Sequence, residues 1–316
     1  MPAIPPIALC LTLIAIFLRL LASPFHSNNV FVEPSLHDVL LPKDSHISSA
    51  GILLLTAHPD DECFFFGPTL TALLSQENQP GINDDPFSVA PRVYSLCLSV
   101  GDADGLGELR RNEFEKSWDV MGVPRDRRWL LDHDELKDNI TAKWSPTLIA
   151  DVVRPYIVEN KISTILTFDR KGISSHPNHY SLFYGVSHLL SSFPVNPETP
   201  SSLTYPRPRA YSLITLPTVT KYTSVSAPLL AKLDLYFYRF LERFNLQPKP
   251  SGPRGATATA TKMPVFVAGG SDYTRTAKAI LQHESQLVWF RWLYMAFSRY
   301  MWVNEWVEIP AGIKMK

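Results

Sequence analysis

The pattern of apolar and polar positions changes period several times along the chain. Residues 7–22 are almost entirely apolar, interrupted by Thr12 and Arg19. A membrane-spanning helix needs roughly 20 such residues, so this run stands at the short end of the range. Residues 1–24 are expected to form an N-terminal membrane anchor. The competing reading, a cleaved signal peptide, lacks the Lys or Arg that should precede its apolar core. Residues 25–50 read as a linker. Short apolar runs then recur at 52–57, 93–99, 162–168 and 210–216, each consistent with a buried strand. Between them lie helix-period segments near 63–76, 108–121, 146–160 and 178–192. Buried strands alternating with helices predict an α/β fold with a mostly parallel, doubly wound sheet flanked by helices.

Toward the C-terminus, residues 285–303 carry a wide apolar face of Trp289, Phe290, Trp292, Leu293, Met295, Ala296 and Phe297. Arg291, Ser298 and Arg299 are seven and eight residues apart and share one helical stripe. A helix of this kind either lies in a membrane interface or closes the core of the sheet. The stretch at 229–240 has similar character. A second span across the bilayer is disfavoured by the two arginines.

Composition narrows the function classes. Of 316 residues, 30 are Lys or Arg and 30 are Asp or Glu, giving zero formal charge. That balance argues against nucleic-acid binding through a global basic field. Three cysteines, Cys10, Cys63 and Cys97, form neither a disulfide framework nor a Cys-only zinc site. The 27 prolines outnumber the 14 glycines, and loops or insertions are expected at 78–91, 194–207 and 248–264, the last of low complexity.

The candidate chemistry follows the predicted strands. Ala57-His58-Pro59-Asp60-Asp61-Glu62 comes directly after the first of them, and sites in open α/β sheets form at the carboxyl ends of strands. A histidine with carboxylates suits a zinc-type ion. Adjacent residues point in different directions, so one aspartate can bind metal while the other takes a proton from water. The alternative is a turn whose Asp side chain caps the next helix. A second cluster, Ser174-Ser175-His176-Pro177-Asn178-His179, follows the strand at 162–168. One of its imidazoles can bind metal and the other can donate a proton or stabilise an oxyanion; the alternative is a helix start with two solvent-exposed histidines. A third stretch, 99–113, combines glycines with Arg110. Phe114, Trp118 and Met121 predict the buried stripe of the following helix, and Arg110 shares it, four residues before Phe114. There it can hold a phosphate or carboxylate, pair internally with Glu113, or do both.

Together, His58-Pro59-Asp60-Asp61-Glu62, the loop ending at Arg110 and His176-Pro177-Asn178-His179 resemble the PIG-L/LmbE-like family of metal-dependent N-deacetylases. His283-Glu284-Ser285-Gln286-Leu287-Val288-Trp289-Phe290-Arg291, with Ser298-Arg299-Tyr300-Met301 and Asn304, is similar to the C-terminal signature of its eukaryotic branch, which acts on N-acetylglucosaminyl-phosphatidylinositol. The resemblance implies a Rossmann-like, LmbE-like deacetylase domain over 51–316. It implies metal ligands His58, Asp61 and His179 for a divalent ion, expected to be zinc. Asp60 becomes the general base, His176 the group that stabilises the oxyanion or protonates the leaving amine, and Arg110 a substrate contact. Asn178 stands where many bacterial relatives have Asp, so a carboxylate behind the ligands is missing there; Asp169 is a substitute to consider.

The expected reaction is hydrolysis of the N-acetyl group of that glycolipid to glucosaminyl-phosphatidylinositol and acetate, the second step of GPI-anchor synthesis. The expected partners are the glycolipid and the endoplasmic reticulum membrane, with no nucleic acid. The expected placement is single-pass with a cytoplasmic catalytic domain, favoured by Arg19 following the apolar core. The sequon Asn139-Ile140-Thr141 accepts a glycan only on the lumenal side. Rival readings are a deacetylase of a soluble amino-sugar conjugate and a non-catalytic glycolipid-binding membrane protein.

Overall fold

The computed structural model describes residues 6–27, 31, 50–78, 91–193, 207–244 and 263–315. The apolar runs become the middle of an eight-stranded sheet of order β1-β7-β8-β6-β5-β2-β3-β4. Its parallel part comprises β2 (Ala50–Thr56), β3 (Pro91–Cys97), β4 (Arg128–Leu130), β5 (Ile162–Phe168) and β6 (Arg209–Leu213). Chain order within this part reverses between β2 and β5, which both start at the centre and feed opposite halves. Crevices open at such a reversal, beyond the carboxyl ends of the strands. Ile52, Leu53, Leu54 and Leu55 of β2 are all buried, as expected for a strand covered on both faces.

The covering helices match the apolar periods closely. They are α2 (Asp61–Phe65), α3 (Gly67–Glu77), α4 (Gly107–Met121), α5 (Pro146–Glu159) and α6 (Pro177–Ser191). The inward stripe of α4 is Arg110, Phe114, Trp118 and Met121, all buried. Gly122 ends it at a φ of 90°, the left-handed conformation that closes many helices.

The remaining edge is antiparallel and was not expected. There β8 (Val303–Glu308) lies between β6 and β7 (Val265–Val267), and β1 (Phe25–His26) pairs with β7. The linker expected at 25–50 therefore begins as a strand. Residues 28–30 and 32–49 lie outside the described residues, as do nearly all of the loops expected at 78–91, 194–207 and 248–264.

Two C-terminal expectations are corrected. The helix predicted across 285–303 is α9, Trp289–Phe297 only, preceded by α7 (Ser226–Arg243) and α8 (Gly270–Ile280). Ser298 adopts extended backbone and its Oγ accepts from the Tyr300 N–H, which starts a separate turn. The segment divides the two readings between its halves. Trp289, Phe290, Trp292, Leu293 and Phe297 are exposed, whereas Tyr300, Met301 and Trp302 join the core.

The anchor expected at 1–24 is described from Pro6 onward. Helix α1, Pro6–Ala22, has 17 residues, about 25 Å at 1.5 Å per residue, against a hydrocarbon core of about 30 Å. Among the described residues, no helix is long and apolar enough to cross a membrane.

Candidate metal centre and active site

The two His-Pro clusters meet at the crevice between β2 and β5. After β2 the chain turns through Asp60, whose φ of 96° is unusual for a residue with a side chain. Such a conformation costs on the order of 1–3 kcal/mol and persists only where surrounding bonds hold it. Here the Asp60 N–H donates to Glu62 Oε2 (3.1 Å), and Asp61 Oδ2 accepts the N–H groups of Ala57 and His58 (both 3.0 Å). The Asp60 side chain makes no capping bond to α2, so the helix-cap reading of this motif does not hold.

Hydrogen bonds on the far ring nitrogens set the histidine tautomers. His179 Nδ1 lies 3.1 Å from the Gly172 carbonyl, and its ring stacks on Phe168 at 4.2 Å. His58 Nε2 lies 3.2 Å from Asp138 Oδ1 and 3.1 Å from Asn178 Oδ1. A carbonyl and a carboxylate only accept, so the imidazole protons sit on those sides. The lone pairs of His179 Nε2 and His58 Nδ1 then face each other at 3.4 Å, with Asp61 Oδ1 3.2 Å from His179 Nε2. Acceptors converging without a proton between them call for a cation. The two separations from His179 Nε2 are close to those between tetrahedral zinc ligands, about 3.3–3.4 Å for bond lengths of about 2.0–2.1 Å. The donor set of two imidazoles and one carboxylate therefore fits the divalent ion expected from the sequence. A nitrogen of His176 also lies within 4.8 Å of ligand atoms of His58 and His179.

The charges around this point are ordered. Burial pushes the pKa of Asp61 up, but the charges of His179 and His58 and the hydrogen bonds to it hold it well below the ordinary value. Asp60 moves the other way. Burial raises its pKa, and Arg291 (NH2 to Oδ2, 3.4 Å) and Arg110 (3.9 Å) only partly oppose that. Neighbouring carboxylates with opposite shifts are suited to different tasks, the raised one to proton transfer.

His176 caps α6, its Nδ1 accepting the Asn178 N–H at 3.3 Å, which leaves the proton on Nε2. Its pKa is lowered to about 4, by burial first and then by the charges of His58 and His179, so the ring is neutral near pH 7. Neither histidine of this pair is exposed.

Arg110 is buried as expected, with NH1 donating to Gly101 O (2.9 Å) and NH2 to Pro59 O (2.7 Å). It thereby ties two site loops together. Gly101 has a φ of 72°, which favours glycine, and a Cβ there would meet Arg110 NH1 at 2.4 Å, so a larger residue would displace the guanidinium. The internal pair with Glu113 is not formed; Glu113 accepts from Ser285 N and Oγ instead (2.7 and 2.6 Å).

Three contributors escaped the sequence reading. Asp138 supplies the carboxylate thought missing, 3.2 Å from His58 Nε2, 3.5 Å from Arg110 NH1 and 3.7 Å from His176 Nε2. Asp169, the substitute considered, binds Thr215 and the Lys171 and Gly172 amides, and so shapes the loop whose carbonyl orients His179. Arg291 arrives from α9, and its guanidinium lies over the Phe64 ring at 4.4 Å. No local pattern marks Asp138; Arg291 was visible as a polar position on an apolar helix and as the end of the C-terminal signature, with no role at the site attached.

His283 braces the site from behind. Its Nε2 is 2.7 Å from Glu62 Oε1, both residues are fully buried, and Ser117 Oγ donates to the same oxygen at 2.8 Å. Burial pulls the His283 pKa down, but Glu62 outweighs it and the net shift is upward. Replacing His283 by Leu strands a buried carboxylate, so urea unfolding should show a loss of about 3–5 kcal/mol near neutral pH. With a raised folded pKa, the stabilisation from His283 is full below about pH 6.5 and fades as pH rises through the folded value.

The chain has relatives among known proteins. Residues 53–190 match the family PIG-L, GlcNAc-PI de-N-acetylase. The N-acetylglucosaminyl-phosphatidylinositol de-N-acetylase of Bos taurus is 31% identical over 253 residues, covering 80% of this chain and 81% of its own. The protein of the same name from Saccharomyces cerevisiae is 30% identical over 262 residues, covering 80% of each chain. Among solved structures, the N,N'-diacetylchitobiose deacetylase from Pyrococcus horikoshii aligns with 88% of this chain and 94% of that chain, at 13% identity and a TM-score of 0.48. With relatives this similar over four-fifths of both chains, and with the motifs at 58–62, 101–110 and 176–179 assembled at one crevice, the chain belongs to the PIG-L family of GlcNAc-PI de-N-acetylases.

Proposed function

We propose that the chain hydrolyses the N-acetyl group of N-acetylglucosaminyl-phosphatidylinositol, releasing acetate and leaving glucosaminyl-phosphatidylinositol. The observation that carries this is the convergence of His58 Nδ1, Asp61 Oδ1 and His179 Nε2 beside a buried Asp60 of raised pKa. His58, Asp61 and His179 would hold a divalent ion, for which zinc suits the donors. Bound there, such an ion supplies Lewis acidity, polarising the acetamide carbonyl and acidifying a water.

The chain's own residues do the rest. Asp60 accepts the proton of the attacking water at a carboxylate oxygen. Arg110 and Arg291 hold that carboxylate in place. His176, neutral with its proton on Nε2, donates a hydrogen bond to the developing oxyanion. The proton taken up by Asp60 then passes to the departing nitrogen, so water and amide become acetate and amine. Asp138 keeps His58 in the tautomer that points its lone pair inward.

The site belongs at a lipid surface. Ser224 N donates to Phe297 O (3.0 Å), and Lys232 Nζ donates to Leu20 O, linking α9 to α7 and α7 to α1. Along these helices Leu9, Leu13, Leu233, Phe237, Trp289 and Trp292 are exposed. An exposed apolar face rich in Trp and Arg is suited to the interface of a bilayer, and the endoplasmic reticulum is the membrane we propose. Asn139 N bonds Asn178 Oδ1 (3.1 Å), so a glycan at this sequon would stand at the mouth of the site. That favours the cytoplasmic side for the domain.

The test is acetate release from N-acetylglucosaminyl-phosphatidylinositol in detergent, beside a lipid-free N-acetylglucosamine conjugate. Release from the glycolipid at a much higher kcat/KM is the expected result. Preference for the lipid-free conjugate would replace this reading with a soluble-sugar deacetylase.

A further inference from the structure

One cleft beside the site shares only Arg291 with the chemistry above. It has a volume of about 710 Å³, and Phe65 and Ser174 line its inner end. The Phe65 ring is 5.9 Å from that of His179, and Ser174 Oγ is 3.2 Å from His179 Nδ1, so the cleft opens directly from the ligand cluster. Its outer wall consists of Phe290, Leu293 and Phe297, each about half exposed. Among the described residues, two cations line it, Lys221 and Arg291, and no carboxylate does.

Neither cation has a close carboxylate partner of its own. Lys221 Nζ donates to Ile173 O at 2.7 Å. The acid whose charge reaches Lys221 is Asp169, which is already engaged by Thr215 and two backbone amides. Burial lowers the Lys221 pKa, so an anion beside it would be stabilising. Arg291 Nε is buried and has no hydrogen-bond partner, and its NH2 reaches Asp60 only at 3.4 Å. Partly desolvated cations against an apolar wall suit a molecule that joins an anionic ester to hydrocarbon.

We propose that Lys221 and Arg291 form an anion subsite that binds the phosphodiester of the glycolipid, with its acyl chains against Phe290, Leu293 and Phe297. This rests on the glycolipid reading of the site. That substrate carries acetamido sugar, inositol, phosphate and acyl chains in order. The cleft runs from the ligand cluster past two cations to an exposed apolar wall. A soluble amino sugar would leave both cations and the wall without a partner.

The experiment compares the wild type with Lys221→Gln and Lys221→Arg on N-acetylglucosaminyl-inositol phosphate and on N-acetylglucosaminyl-inositol, which lacks the phosphate. Losing a charge-assisted bond to phosphate should raise KM for the first substrate about tenfold or more in Lys221→Gln, with little change in kcat. The loss should be confined to the phosphate-bearing substrate and largely rescued in Lys221→Arg. Equal losses on both substrates, or none on either, would overturn the subsite. Binding of dihexanoyl-phosphatidylinositol below its micelle concentration, followed by calorimetry, gives a readout without turnover. Wild-type binding weakened about tenfold in Lys221→Gln supports the subsite, and unweakened or absent binding overturns it. Binding of this kind without acetate release from any substrate leaves the subsite standing and removes the deacetylase reading. Acetate release that Lys221→Gln does not alter does the reverse.

Discussion

Asp60→Asn should lower acetate release by about 10²–10⁴-fold, the usual contribution of a positioned acid or base. Asparagine preserves the size of the side chain and accepts through one oxygen, but cannot carry the proton away from water. The bonds that shape its turn come from the Asp60 backbone N–H and from Asp61, so the turn should survive. Metal content should also stay at the wild-type level, because the converging atoms belong to His58, Asp61 and His179. Turnover and metal stoichiometry measured on one preparation separate the two effects. If the variant releases acetate like the wild type, Asp60 is not the base. If it loses metal together with activity, Asp60 belongs among the ligands.

Removing the ion should have the larger effect. Dialysis against a strong chelator should abolish release, and zinc added back should restore it. His179→Ala removes an inward lone pair and should leave purified protein with less than one equivalent of metal. Asp138→Asn tests the layer behind: it weakens the acceptor that fixes the His58 tautomer, and outer partners of this kind are worth about 10–100-fold in metal affinity. A competitive chelator titration reads both variants on one scale. Full activity in metal-free protein would sink the reading of the cluster. Equal affinity in Asp138→Asn and wild type would leave Asp138 as a charge partner of Arg110 alone.

The parts of the fold legible in the sequence are those whose signal is local. The runs that became β2, β3 and β5 are apolar because both faces of the central sheet are covered, and the helices between them keep a 3.6-residue period. The motif histidines and aspartates were legible because each cluster follows a strand end. Strand β8 was hidden for a physical reason. Val303-Asn304-Glu305-Trp306-Val307-Glu308 is half polar; it buries Asn304, which bonds Thr69 and the Phe65 carbonyl, and it follows directly on an apolar helix. Asp138, His283 and Arg291 were illegible as site residues because their partners are 28 to more than 200 positions away, at a meeting of segments that only the folded topology creates. The apolar N-terminal run forms a helix, as its composition predicts, and its 17 described residues stand at the short end of the spanning range.

The placement of β8 between β6 and β7 also sets a timetable for biosynthesis. The sheet edge at β6 can be covered only after the ribosome has added about 90 further residues, from 213 to 303. At about 5–20 residues per second, that interval lasts roughly 5–20 s. For most of it, a nascent chain that already carries the motifs at 58–62, 101–110 and 176–179 presents an open strand edge and lacks both His283 and Arg291. An unpaired edge of this kind is a template for aggregation, so the emerging chain is a natural client for chaperones. A message cut short in its last tenth should therefore yield a protein that is cleared rather than one that works slowly.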